Sequence, residues 1–246
     1  MTKHGWCPSL PDRRHIPFVP KAAALAKYID LRPTLPPAWD QGSIGSCTAH
    51  AVAVGHMVAQ QLSGLKPIMP SRLALYFNGR AARGWQNLDS GACIVDVVKS
   101  TFKLGVAEEK LYPYLVTKIK LKPPASVYAN ALLHQATQYQ KVDNTKQEDI
   151  VSALELGCPV IFGTTLYEGH NKLSKANVMP KPNLKAKAIG GHAMAICGWD
   201  EKKSLFLVRN SWSTSWGDSG YHWMHASVIT DLSLSDDFWI IVRTEK

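Results

Sequence analysis

The chain of 246 residues has no apolar run long enough, at about 18 residues or more, to cross a bilayer as a helix, so no membrane partner is expected. No Asn-x-Ser/Thr acceptor occurs, and Met1-Thr2-Lys3-His4-Gly5-Trp6 lacks the apolar stretch of a secretory signal. Both absences favour an intracellular setting, in the cytoplasm or in a virion. The five cysteines are odd in number, scattered and without C-x-x-C spacing. That disfavours a disulfide framework or a cysteine-built metal site and suggests free thiols in reducing surroundings. Acidic side chains are the scarcer sign, with 19 Asp and Glu against 28 Lys and Arg for a net charge of +9. The basic residues are spread along the chain, with modest clusters at 118–122 and 172–187, and no motif of a nucleic-acid binder accompanies them. They read as a solvated surface, with no nucleic-acid partner. Neither repeats nor heptads are present, which favours a monomer.

Residues 1–24 are rich in proline and lack periodicity, the pattern of an extended arm. Trp6, Ile16, Phe18 and Val19 are too apolar for a free tail, and the arm is expected to lie in a groove. Residues 28–32 read as a short strand. A helix is expected from Ser46 toward Gln60 and Gln61, a second from a capped start at Pro70-Ser71, and a third over 94–104, ending at Gly105. Short β-type runs follow at 139–142, 160–165, 192–198, 205–208, 221–224 and 238–242. One helix interrupts them near 146–156, with Asn144 or Thr145 as its cap. A helical lobe over about 25–134 and a β lobe over about 135–246 make an α+β protein with a cleft between the lobes.

The stretch from Trp39-Asp40-Gln41-Gly42 to Ser46-Cys47-Thr48-Ala49 delivers a cysteine to the first turn of the first helix. The positive end of the helix dipole favours a thiolate there, so Cys47 reads as an activated nucleophile, with a small apolar core residue as the alternative. A nucleophilic cysteine needs an imidazole and a group that orients it. Gly190-Gly191-His192-Ala193 offers a histidine at the mouth of an apolar strand, behind glycines that leave room for a ligand backbone. Val208-Arg209-Asn210-Ser211-Trp212 offers an amide oxygen for one ring nitrogen of His192, with Trp212 to shield that bond from water. The histidine spacings at 50 and 56 and at 222 and 225 do not suit a metal.

In the order Cys, His, Asn, these stretches resemble the papain-like cysteine proteases of the cathepsin type. Tyr28-Ile29-Asp30-Leu31-Arg32 and Leu111-Tyr112-Pro113-Tyr114 add to the likeness, which runs from about Tyr28 to Val242. The resemblance implies a two-lobe fold with a β-barrel-like second lobe and an endopeptidase acting on polypeptides through a thioester, with no metal or cofactor. It implies Cys47 as nucleophile, His192 as its partner, Asn210 as orienter, and an oxyanion hole from the Gln41 side chain and the Cys47 N–H. Gly91 resembles the glycine that pairs with an extended substrate, with Ala92 and Cys93 beside it in the cleft, and Gly191 and Trp212 complete the lining. Ala193 resembles a wall of the pocket for the second residue before the scissile bond. Ile44 stands where the family has a disulfide cysteine, Thr48 where it has an aromatic, and Ser213 where a glycine is frequent. An acyl transferase or peptide ligase, and a binding pseudo-protease, are the alternative readings. The arm is far shorter than cathepsin-type propeptides, and residues 6–19 are expected to lie over part of the cleft as a shield.

Overall fold

A computed structural model describes residues 4–10, 12, 14–20 and 25–245. The parts of the expected arm at 1–3, 11, 13 and 21–24 lie outside the described residues. Small residues dominate α1 (Cys47–Leu62), and every residue from Cys47 through Gln60 is buried. A helix covered all round belongs to a core rather than a surface. Its Ala- and Val-rich sequence lets it pack on both α2 (Arg72–Ala81) and α3 (Ile94–Lys103) and on three strands of the second lobe. The expected cap of α2 is Ser71, whose hydroxyl accepts from the Ala74 N–H at 3.3 Å. A short α4 (Ala125–Ala131) follows Pro124, between the expected third helix and the first β-type run.

The β lobe is one antiparallel sheet of seven strands. Its order is β2 (Ala136–Lys141), β7 (Ser235–Thr244), β3 (Val160–Tyr167), β4 (Ala188–Asp200), β5 (Leu205–Arg209), β6 (Tyr221–His225), with β1 (Tyr28–Asp30) on β4. Strand β4 is far longer than the run expected at 192–198, because it serves three neighbours. Strand β1 lies in the range expected for the helical lobe, yet Ile29 pairs with Trp199. Helix α5 (Gln147–Glu155) has Lys146 at its cap position with no side-chain cap bond. The expected caps are engaged elsewhere. Asn144 donates to the carbonyls of Ile229 and Ser235, and the Thr145 hydroxyl donates to Asp143. A single turn, α6 (Ala226–Ile229), has too short an apolar pattern to be read in advance.

Two large apolar clusters form most of the core, beside a small third of Ala195, Cys197, Leu207 and Tyr221. One joins α1, α2 and α3 to Ile161, Trp239 and Ile241, and the other lies between the sheet and α5. The head of α1 therefore meets β4 where the lobes join. Backbone bonds cross the join: Gln41 N–H donates to the Ser211 carbonyl at 2.9 Å, and Ser213 N–H to the Trp39 carbonyl at 3.1 Å. The arm divides in its behaviour. Trp6 and Phe18 are each 7% exposed, whereas Ile16 and Val19, expected to be covered too, are 60% and 74% exposed.

Candidate active site

Cys47 is the first residue of α1, as its position behind a Gly-rich turn implies. The N–H of Ala193, the residue after His192, is directed at the Cys47 thiol, as is the N–H of Gly5. This brings the nucleophile stretch and the His192 stretch together. His192 Nε2 lies 2.8 Å from Asn210 Oδ1, which also accepts from the Ser211 N–H at 2.7 Å. Trp212 stacks on the imidazole, with ring centroids 4.8 Å apart and planes 22° from parallel. With Nε2 given to Asn210, Nδ1 remains on the other side of the ring, and it is buried without a hydrogen-bond partner. Gln41 is fully buried. Its Oε1 accepts from Ser211 at 2.6 Å, which turns its amide nitrogen the opposite way, where it donates to the Ile44 carbonyl at 2.9 Å. Tyr114 donates to the Gln41 carbonyl at 2.9 Å and is itself covered by the Arg72 guanidinium.

The electrostatics depart from the expectation of a thiolate. Cys47 is 0% exposed, and burial pushes its thiol up to about 11 even though the N–H groups of Ala193, Gly5 and Thr48 oppose the shift. Burial likewise pulls His192 down to about 3, against the Asn210 bond and with His4 adding to the shift. Both groups are neutral in this closed arrangement, because a charge in a dry pocket costs more than the helix end returns.

The arm lies over this pocket. Gly5 passes over Cys47, and His4 sits edge-on to His192 at 5.7 Å. Trp6 N–H donates to the Gly191 carbonyl at 2.9 Å, Ala92 N–H to the Gly5 carbonyl at 2.8 Å, and Cys7 N–H to the Ala92 carbonyl at 3.1 Å. The residue of this wall that pairs with the arm is thus Ala92, next to Gly91. Gly91 instead turns the chain at φ +78°, and a Cβ there would lie 2.1 Å from the Gly5 carbonyl oxygen. The Trp6 ring fills a pocket against Gly163, where a Cβ would come within 2.0 Å of the indole. At its end Asp237 accepts from Trp6 Nε1 at 3.2 Å, Ser9 Oγ at 2.6 Å and Trp239 Nε1 at 2.8 Å. Sequence reasoning missed Asp237 and Gly163. The Asp236-Asp237 pair ahead of an apolar strand carries no signal beyond a solvated turn. Cys93 borders the same wall, 1% exposed. No group of three metal-ligating side chains occurs among the described residues.

A helix-borne cysteine meeting a His–Asn pair at the join of a helical and an antiparallel lobe has the architecture of a two-lobe α+β cysteine peptidase. The papain family cysteine protease model matches residues 25–238. A peptidase C1-like protein of Acanthamoeba polyphaga mimivirus is 36% identical over 212 residues, covering 82% of this chain and 68% of that protein. Cysteine proteinase 3 of Dictyostelium discoideum is 22% identical over 75% of this chain and 54% of its own length. Among solved structures, xylellain, a cysteine protease from Xylella fastidiosa, matches with a TM-score of 0.93 and 33% identity, over 98% of this chain and 96% of that one. The chain belongs to the papain family of cysteine proteases, and its class of activity is that of a peptidase, a hydrolase.

Proposed function

We propose that the protein hydrolyses peptide bonds through a thioester on Cys47, with residues 4–9 acting as a built-in shield over the cleft. The observation that carries the reading is the His192–Asn210 bond of 2.8 Å under the Trp212 ring, with the Ala193 N–H aimed at the Cys47 thiol. Once the arm leaves and water returns, the penalty on charge falls, and the Cys47 proton passes to His192 Nδ1. The thiolate attacks the substrate carbonyl, and the oxyanion is received by the Gln41 side-chain N–H and the Cys47 backbone N–H, at about 3 kcal/mol per donor. Imidazolium His192 then protonates the leaving amine. Water, deprotonated by the same ring, releases the acyl group.

The Trp6 pocket points to substrate preference. A large side chain with a hydrogen-bond donor at its tip fits the space between Gly163 and Asp237, as the Trp6 indole does. Ala193 belongs to the same apolar cluster as Trp6, in keeping with a wall of this pocket.

The test is intact-mass measurement after treatment with an epoxysuccinyl inhibitor. One adduct on the wild type, absent from Cys47→Ala and formed faster in Trp6→Ala, is expected. An adduct count unchanged by Cys47→Ala would overturn the nucleophile. Equal rates in wild type and Trp6→Ala would overturn the shield.

A further inference from the structure

The arm carries a cysteine into the cleft wall, and the wall meets it with another. Trp6 pairs in parallel with Ala92, and the Cys7 N–H donates to the Ala92 carbonyl. One residue further along both chains, Cys7 and Cys93 come abreast. Paired strands run about 4.8 Å apart, inside the range of roughly 4.4–6.8 Å between Cα atoms that a disulfide spans. The side chains converge as well: Cys93 Sγ lies 3.7 Å from the Pro8 carbonyl, Cys7 Sγ lies 3.8 Å from the Ser90 carbonyl, and the Cys93 thiol is the largest influence on that of Cys7.

We propose that Cys7 and Cys93 form a reversible disulfide that latches the arm into the cleft when a small-molecule disulfide is in excess over its thiol. The gating role of this bond rests on the reading of the arm as a shield. The five thiols are not equally ready for it. The Cys93 hydrogen bond pulls Cys7 down to about 7, and Cys7 is partly exposed. Burial pushes Cys47, Cys158 and Cys197 up to about 11, 11 and 12. The thiolate is the nucleophile in exchange, so Cys7 reacts first. It attacks one sulfur of the small disulfide and expels the other as a thiolate, which takes up the proton Cys7 lost. The Cys93 thiol then gives up its proton and attacks the Cys7 sulfur, expelling the second small thiol. Two protein thiols and one disulfide become one protein disulfide and two small thiols. A reducing dithiol runs the exchange backwards. Oxidation would thus fasten the cover while Cys47, beneath it, stays reduced.

The experiment uses the full chain, incubated with oxidised glutathione, alkylated at its free thiols and digested without reduction. The peptides carrying Cys7 and Cys93 are expected joined, lighter by two hydrogens than their sum, and separated again by dithiothreitol. In parallel, the epoxysuccinyl adduct rate at Cys47, measured on the fraction with that thiol free, should fall at least tenfold on oxidation of the wild type. In Cys7→Ser it should not change on oxidation. Absence of the joined peptide, or a lasting glutathione adduct on Cys7, overturns the latch. A joined peptide with an unchanged Cys47 rate leaves the bond in place and overturns the shield on which its gating role rests.

Discussion

Two cysteines flank the same stretch of arm and are poised in opposite ways. Cys47 has the better address by sequence, at the head of a long helix, yet its thiol is held up at about 11. Cys7 has only a proline-rich strand around it and sits near 7. The difference is cover. A helix end is worth roughly 0.3–1 kcal/mol to a charge at its first turn. Removing an ion from water costs several kcal/mol. A donated hydrogen bond at a partly wet site therefore does more for Cys7 than a helix does for Cys47 at a dry one. On the proposed shield, readiness at the head of α1 is set by the arm above it more than by the residues around it.

The largest break in that comparison is Cys47→Ala. With peptide substrate in reducing buffer, kcat/KM should fall by roughly 10⁴ or more, the scale of losing a covalent nucleophile. Trp6→Ala lifts the cover without touching the thiol. Emptying its pocket costs the closed state about 3 kcal/mol, so alkylation of Cys47 should rise roughly 100-fold. Asn210→Ala leaves the cover and frees the imidazole. Loss of a buried hydrogen bond worth roughly 1–3 kcal/mol should lower kcat about 10- to 100-fold with KM little changed. The gentlest lever is pH. His192 titrates near 3 when covered against an ordinary 6.5, so the closed form binds fewer protons below 6.5. Closure is fully present above 6.5 and weakens as pH falls toward 3, by up to about tenfold per pH unit. Cys47, raised from 9.0 to about 11, weakens closure in the same way as pH rises through that range. Hydrogen-exchange protection of the Trp6 and Cys7 amides, corrected for intrinsic pH dependence, should peak between the two windows.

Much of the frame was legible where local chemistry decides it. Gly45-Ser46-Cys47 announces the start of α1, Ser71 caps α2, and Gly105, at φ +73°, follows the end of α3. The pairing of His192 with Asn210 and the stacking of Trp212 also follow from residues close in sequence or on adjoining strands. Long-range uses of a residue were not legible. Asn144 looks like a helix cap and serves instead to bind two carbonyls near the far end of the chain. Asp237 looks like a surface turn residue and lies 2% exposed, its carboxyl raised by burial although three side chains donate to it. The state of the Cys47 thiol failed for the same reason. Gly5 lies against it, and no local pattern connects Gly5 to α1.

Helix α1 packs within the first cluster and against three strands of the second lobe, and the bonds from Gln41 to Ser211 and from Ser213 to Trp39 stitch the lobes where they meet. Such a join holds the two walls of the cleft at one spacing. The gauge of the channel is set when the chain folds, and a thread already drawn out straight passes where a knot cannot.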